Sequence, residues 1–181
     1  MPDFKMGNPA KTVISQTGSD EPTIASGVVF PAGHVVQTVS TMFNAVATGT
    51  GLMVIDDTIP QISEGNEFMT QAITPKSDTN KLLIEVVWQG TINVAHGLIV
   101  ALFQDSTANA LAGLQENRAT ANHSKSVSFN HYMTSGTESL TTFRVRAGAC
   151  ATGTTTFNGN SGARVLGGVM ASSITITEIQ A

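Results

Sequence analysis

The chain has 181 residues, a net charge of −4 and only 12% charged residues, about half the ~25% usual for globular domains. Its pI of about 5.4 excludes the basic footprint of a nucleic-acid binder. No apolar run approaches the ~20 residues of a membrane-spanning helix.

Scarce charge accompanies disorder when apolar content is low, but here 41% of residues are hydrophobic, and Val, Ile and Thr are abundant. That combination favours packed strands. A chain of this length buries roughly 70% of its unfolded surface and needs no metal or disulfide to fold. The lone cysteine, Cys150, excludes an internal disulfide framework. Positions 1–30 lack the basic start, apolar core and cleavage site of a secretory signal, so none is expected.

Residues 1–27 mix Pro, Gly, Ser and Asp around one short apolar piece, 12–15. They read as an N-terminal arm with an edge strand, ahead of a head domain over 28–181. From Phe30 onward strands alternate with turn residues. "GHVVQTVSTMF" sets Val35, Gln37, Val39 and Thr41 against Val36, Thr38 and Ser40. "EFMTQAITP" stops at Pro75, and residues 76–80 are turn chemistry feeding a dense apolar strand, 82–88. Residues 98–103 form a second dense run. Continuous apolar runs of this kind predict strands buried on both faces.

"TANALAGLQENRA" offers the one helical turn, short and broken by glycine. "SVSFNHYMTS" and "SLTTFRVRAGA" alternate well. "GTTTFNGNSG" reads as a short strand with a turn at Asn158-Gly159, and "SSITITEI" closes the chain as a strand held by neighbours already made. Eight or nine short strands, turn signals every 8–12 residues and no sustained 3.6 period predict an all-β antiparallel β-sandwich, a jelly roll. No internal repeat supports a solenoid or shaft.

No catalytic constellation stands out: G-x-S-x-G, H-E-x-x-H, P-loop and C-x-x-C are all missing. His123 and His131 share strand parity but lie about 26 Å apart along a strand, too far for one metal. His34 and His96 sit beside glycines at strand edges and read as surface groups, or as a histidine ring across a symmetry axis. Asp56, Asp57, Glu64 and Glu67 form the densest acidic stretch. Ca²⁺ takes six to eight oxygen ligands, but the spacing matches no loop motif, and a solvated turn is the default reading. Trp88 reads as core or interface, and Tyr132 as an exposed or interface ring, an exposed aromatic being of the kind sugars stack on. Asn122-His123-Ser124 fits a glycosylation sequon, which without a signal peptide reads as coincidence.

Three segments then resemble, in order and spacing, a widespread group of small bacteriophage virion proteins. They are "FPAGHVVQTVST" (30–41), "ITPKSDTNKLLIEVVWQG" (73–90) and the closing "GTTTFNGN…SSITITEI". That group shares a PAG-hydrophobic-VQ-V entry strand, an ITP-x-S-x-x-N/S-K-I/L-L-I turn and strand, and a terminal S-x-I-T-I/L-x-E-I strand. The resemblance covers most of 30–179 and leaves out the arm. It implies a jelly roll similar to the tumour-necrosis-factor-like heads, commonly trimeric, displayed on virions as head fibres, decoration proteins or tail-fibre tips. It implies no catalytic residues, metal or cofactor.

The expectation is therefore a non-enzymatic structural protein at the virion surface: a homotrimeric capsid decoration or short head fibre attached to other virion proteins through its arm. Extended, 27 residues reach at most about 90 Å, which suits a head seated close to a particle surface. The alternative is a receptor-binding fibre tip that recognises a host-surface glycan. Two dense apolar strands and small residues at 171–173 ahead of the last strand motivate the trimer, and Ile176 is expected in a core or a threefold seam.

Overall fold

The computed structural model describes residues 4–6, 11–15, 23–24, 31–117 and 120–181. The chain divides into two units, Met1–His34 and Val35–Ala181. The first carries a three-stranded antiparallel sheet of β1 (Phe4–Met6), β2 (Lys11–Ser15) and β3 (Thr23–Ile24). Its order is β1-β2-β3. The apolar piece 12–15, expected at an edge, is thus the central strand, in keeping with its run of β-branched residues.

The second unit begins with β4 (Val35–Phe43), β5 (Ala47–Gly49), β6 (Asn66–Ile73), β7 (Lys81–Ile92) and β8 (Leu98–Gln104). It continues through β9 (Ala112–Glu116), β10 (Lys125–Thr134), β11 (Thr141–Ala149), β12 (Thr155–Phe157), β13 (Gly159–Asn160), β14 (Ala163–Arg164) and β15 (Ser172–Ile179). Eight of these form the sandwich, and all pair antiparallel. The first pairs the last (β4 with β15), the second the seventh (β6 with β11), the third the sixth (β7 with β10), and the fourth the fifth (β8 with β9). That nested pairing is a long hairpin rolled up on itself, the jelly-roll topology. One sheet runs β4-β15-β7-β10, extended by β12 and β5; the other runs β6-β11-β8-β9.

The last strand lies inside the first sheet, hydrogen-bonded to β4 on one side and β7 on the other. Its alternation decides its faces. Ser172, Ile174, Ile176 and Glu178 point into the sandwich, while Ser173, Thr175 and Thr177 stay partly exposed. Ile176 is fully buried in the core between the sheets. Leu82, Ile84, Val86 and Trp88 of β7 meet Leu98, Val100, Leu102, Phe143 and Val145 in the same core. At one end of it Phe68 stacks on Phe157 at 5.2 Å, and Trp88 tilts against Phe157 at 6.0 Å. A slip in register across Val145/Arg146 leaves Phe68 without a partner on β11. Such a bulge re-aims a side chain, here toward the rings.

Four expectations change. Strand β7 is not buried on both faces, because Glu85 is exposed and Leu83 and Val87 are half-buried. Strand β8 is, but the chain itself covers it. Met53, from the connection between β5 and β6, packs on Ile99, Ala101 and Phe103 in a second small core with Ile62. The excess apolar surface that argued for a subunit interface is therefore used within one chain. The segment read as a helical turn contains the edge strand β9. Finally, of the turn expected at Asn158-Gly159 only Asn158 is a turn residue, Gly159 already belongs to β13, and the chain reverses at Ser161-Gly162 between β13 and β14. Both of those residues have positive φ, 49° and 78°, the pattern of a two-residue hairpin turn.

Candidate functional site

One buried carboxylate gathers donors from separated segments of the chain. Glu178 is fully buried. Its Oε1 accepts from Asn80 Nδ2 at 2.6 Å and from the Lys76 backbone N–H at 2.8 Å. Its Oε2 accepts from Gln37 Nε2 at 2.6 Å, and Gln37 also donates to the Thr74 carbonyl at 2.9 Å. Burial pushes the Glu178 carboxyl up, but donors from Asn80, Gln37 and the Lys76 and Ser77 backbones outweigh it and hold it below the usual value. Gln37, the 74–80 turn and Glu178 belong to the three segments that carried the resemblance. Their meeting is structural: it ties the last strand to the first and to the β6–β7 turn. It offers no open face for chemistry.

Asn158, which sequence reasoning placed in a turn, has a similar role. It is buried with φ 51°. Its Nδ2 donates to the Phe43 carbonyl at 2.8 Å, and its Oδ1 accepts from Ser172 Oγ at 2.7 Å. Ser172 Oγ in turn accepts from the Gln89 N–H at 2.8 Å. The small residue that opens the last strand is thus fixed within its own chain.

The acidic stretch does not converge. Asp56 accepts from the Thr58 hydroxyl at 2.6 Å and N–H at 2.8 Å, and these bonds lower its pKa. Glu64 accepts from the Gln61 N–H at 2.6 Å. Glu67 pairs with Arg144 at 3.2 Å and lies 3.8 Å from Arg146. Asp57 is exposed. Among the described residues no group of three or more His, Cys, Asp or Glu side chains is placed to hold a metal. His34, His96 and His123 are exposed, and His131 is half-buried on β10, where burial lowers its pKa. Cys150 Sγ accepts from the Gly97 N–H at 3.1 Å.

The two lone aromatics separate. Trp88 is core. Tyr132 is 57% exposed, on the outer face of the first sheet opposite Leu83. Rows cross that face from β4 to β10: Thr38, Thr177, Leu83 and Tyr132; Ser40, Thr175, Glu85 and Asn130; Met42, Ser173, Val87 and Ser128. Hydroxyls link across it, Ser40 to Thr175 at 2.8 Å. Met42 is 75% exposed, and Glu85 is the only charge in the three rows.

Among the concavities formed by described residues of the second unit, three have volumes near 400 Å³. A groove of about 420 Å³ runs between Asp56–Pro60 and Ala110–Gly113, beside exposed Val54, Ile55 and Leu114. A hollow of about 400 Å³ lies over Arg144 and Arg146. Both guanidiniums are engaged: Arg144 with Glu67 and the Asp105 carbonyl, Arg146 with the Glu64 and Gly65 carbonyls. The third, about 390 Å³, is lined by Asn93, Asn122, Thr154, Thr156, Ser161 and Gly162. It carries no charge and was invisible in the sequence, because its residues come from four separated connections and from strand β12.

No protein-family model matches the chain, and no curated protein matches it in sequence. Among solved structures it is similar to the EclA C-terminal domain, a sugar-binding protein, at 15% identity. That match covers 79% of this chain and 85% of the other, with a TM-score of 0.37. It is similar to a structure of infectious bursal disease virus, Gx strain, at 12% identity over 92% of this chain and 41% of that one, TM-score 0.36. A third likeness is to the enzymatically active domain of tailspike protein 4 of bacteriophage CBA120. It has 14% identity over 70% of this chain and 19% of that one, TM-score 0.28. Likeness at these scores carries no conclusion about what this chain does.

Proposed function

We propose that this chain is a non-enzymatic structural protein of a bacteriophage particle: a capsid decoration or short head-fibre protein, homotrimeric, attached through its N-terminal arm. One observation carries the reading. The three segments resembling phage virion proteins meet in space on Glu178, so their spacing reflects one shared structural lock. The arm supports the attachment role as a separate unit with its own small sheet.

Support for the trimer now rests on scarce charge and on the outer face of the first sheet, where Met42 and Tyr132 stand exposed among hydroxyls. Interface cores are depleted of charge and enriched in Met and Tyr. The test is deletion of residues 1–27. The truncated protein is expected to stay folded and to lose co-sedimentation with purified particles. A truncated head that still decorates particles moves attachment onto the head and overturns the arm's role.

A further inference from the structure

The uncharged cavity at the end of β7 is built, and its construction specifies a ligand class. Asn93, the first residue after β7, and Thr154, just before β12, clamp each other: Asn93 N–H donates to the Thr154 carbonyl at 3.1 Å, and Thr154 N–H to Asn93 Oδ1 at 2.7 Å. Asn122 is held by its backbone. Its N–H donates to the Ile92 carbonyl at 2.8 Å, and its own carbonyl accepts from Asn160 Nδ2 at 3.1 Å. On the far side the Gly162 N–H donates to Thr156 Oγ1 at 3.0 Å, and Ser161 Oγ donates to Asn160 Oδ1 at 3.0 Å.

Two lining residues other than glycine, Asn122 and Ser161, sit at positive φ, 59° and 49°. Both are turn positions: Ser161 belongs to the β13–β14 hairpin, and Asn is among the residues that adopt this region most readily.

What those bonds leave over is informative. Asn93 keeps its amide NH₂, and Thr156 keeps its hydroxyl proton. Ser161 keeps its lone pairs. Among the described residues nothing engages the Asn122 side-chain amide, which offers both a donor and an acceptor. The cavity therefore presents interleaved donors and acceptors with no net charge. A carboxylate, phosphate or ammonium would meet no counter-charge in this lining. An apolar ligand would strand the amides. Hydroxyl groups donate and accept at once, so a polyhydroxylated ligand satisfies both sets, and a rigid ring does so at less entropic cost than an open chain. The volume, about 390 Å³, lies at the lower end of the range for small-molecule sites, suited to a single sugar ring.

We propose that this cavity binds a neutral pyranose unit of a carbohydrate. The inference does not depend on the particle assignment, since binding is read on the isolated protein. The apolar groove and the arginine hollow carry less: the structure shows nothing that covers the first, and the cations of the second are already paired.

The test is a titration followed by ¹⁵N–¹H correlation spectra, with methyl glucoside, galactoside and mannoside as neutral probes. Glucuronic acid and N-acetylneuraminic acid are the charged comparison, and ribitol the open-chain one. At least one neutral hexoside is expected to give saturable shifts at the Thr154 and Gly162 amides at millimolar concentration, with no comparable response from the other three. Asn122→Gly and Ser161→Gly each remove a polar group and leave the left-handed backbone unstrained. Each is expected to weaken binding by about three- to tenfold, with spectra elsewhere unchanged. The proposal is overturned if no neutral hexoside shifts these amides, if a charged sugar or ribitol binds there instead, or if binding survives both substitutions intact.

Discussion

Asn80 Nδ2 donates to Glu178 Oε1 at 2.6 Å, joining the turn before β7 to the last strand across 98 residues of sequence. A second donor from Gln37 and a third from the Lys76 backbone place donors on both carboxylate oxygens. Replacing it isosterically tests what the lock contributes. In Glu178→Gln one carboxylate oxygen becomes an NH₂ and faces a donor. The expected loss is about 1–3 kcal/mol, read from urea unfolding midpoints at unchanged slope.

The same group sets a pH dependence. Its folded pKa lies below the reference value of 4.5. Its stabilisation is therefore fully present above the unfolded pKa and is lost as pH falls through the folded one. The stability gap between the wild type and Glu178→Gln is expected to be flat well above pH 4.5 and to shrink below it. A gap that widens on acidification contradicts the assigned state of the carboxylate.

Met53 caps the outer face of β8 and is fully buried against Ile99, Ala101 and Phe103. Met53→Ala leaves a cavity and is expected to cost about 2–5 kcal/mol. The loss should appear as a lower unfolding midpoint, with faster hydrogen exchange between β5 and β6. A change under half a kilocalorie would mean that this small core collapses freely or contributes little.

Chelation addresses the acidic loop. Asp56 is bonded to Thr58, Glu64 to Gln61 and Glu67 to the arginines. EDTA is expected to move the melting temperature by less than about 1 °C, since only a cation bound to the folded state would shift it. A large drop reinstates Asp56, Asp57, Glu64 and Glu67 as calcium ligands.

Mass tests the trimer. Sedimentation at micromolar concentration is expected to give about three times the 18.9 kDa of one chain. Ile176→Asp does not serve this purpose, because Ile176 lies in the core between the sheets and reports on folding alone. A stable monomer removes the proposed role of Met42 and Tyr132.

The fold was legible because jelly-roll strands alternate: Ile174 and Ile176 inward, Thr175 and Thr177 outward, just as the spacing demands. The place of the last strand followed as well. Burial on both faces was right for β8 and wrong for β7, because periodicity does not reveal which face a distant loop covers. Met53 lies 46 residues before Ile99 in sequence, and nothing local announces their contact. The neutral cavity was illegible for a related reason. Asn93, Asn122 and Ser161 are ordinary loop residues until β7, β12 and the β13–β14 hairpin bring them together. Asn158 shows the converse: its turn chemistry was correctly noticed, but a buried polar tie used it in place of a hairpin.

The central claim is that this chain sits on the surface of a phage particle. The most direct measurement is electron microscopy of purified particles from the source lysate, labelled with gold-conjugated antibody against residues 35–181. The account predicts regularly placed label on the capsid exterior, or on short fibres attached to it. Particles that carry no label while the protein is abundant in the unassembled fraction would contradict it.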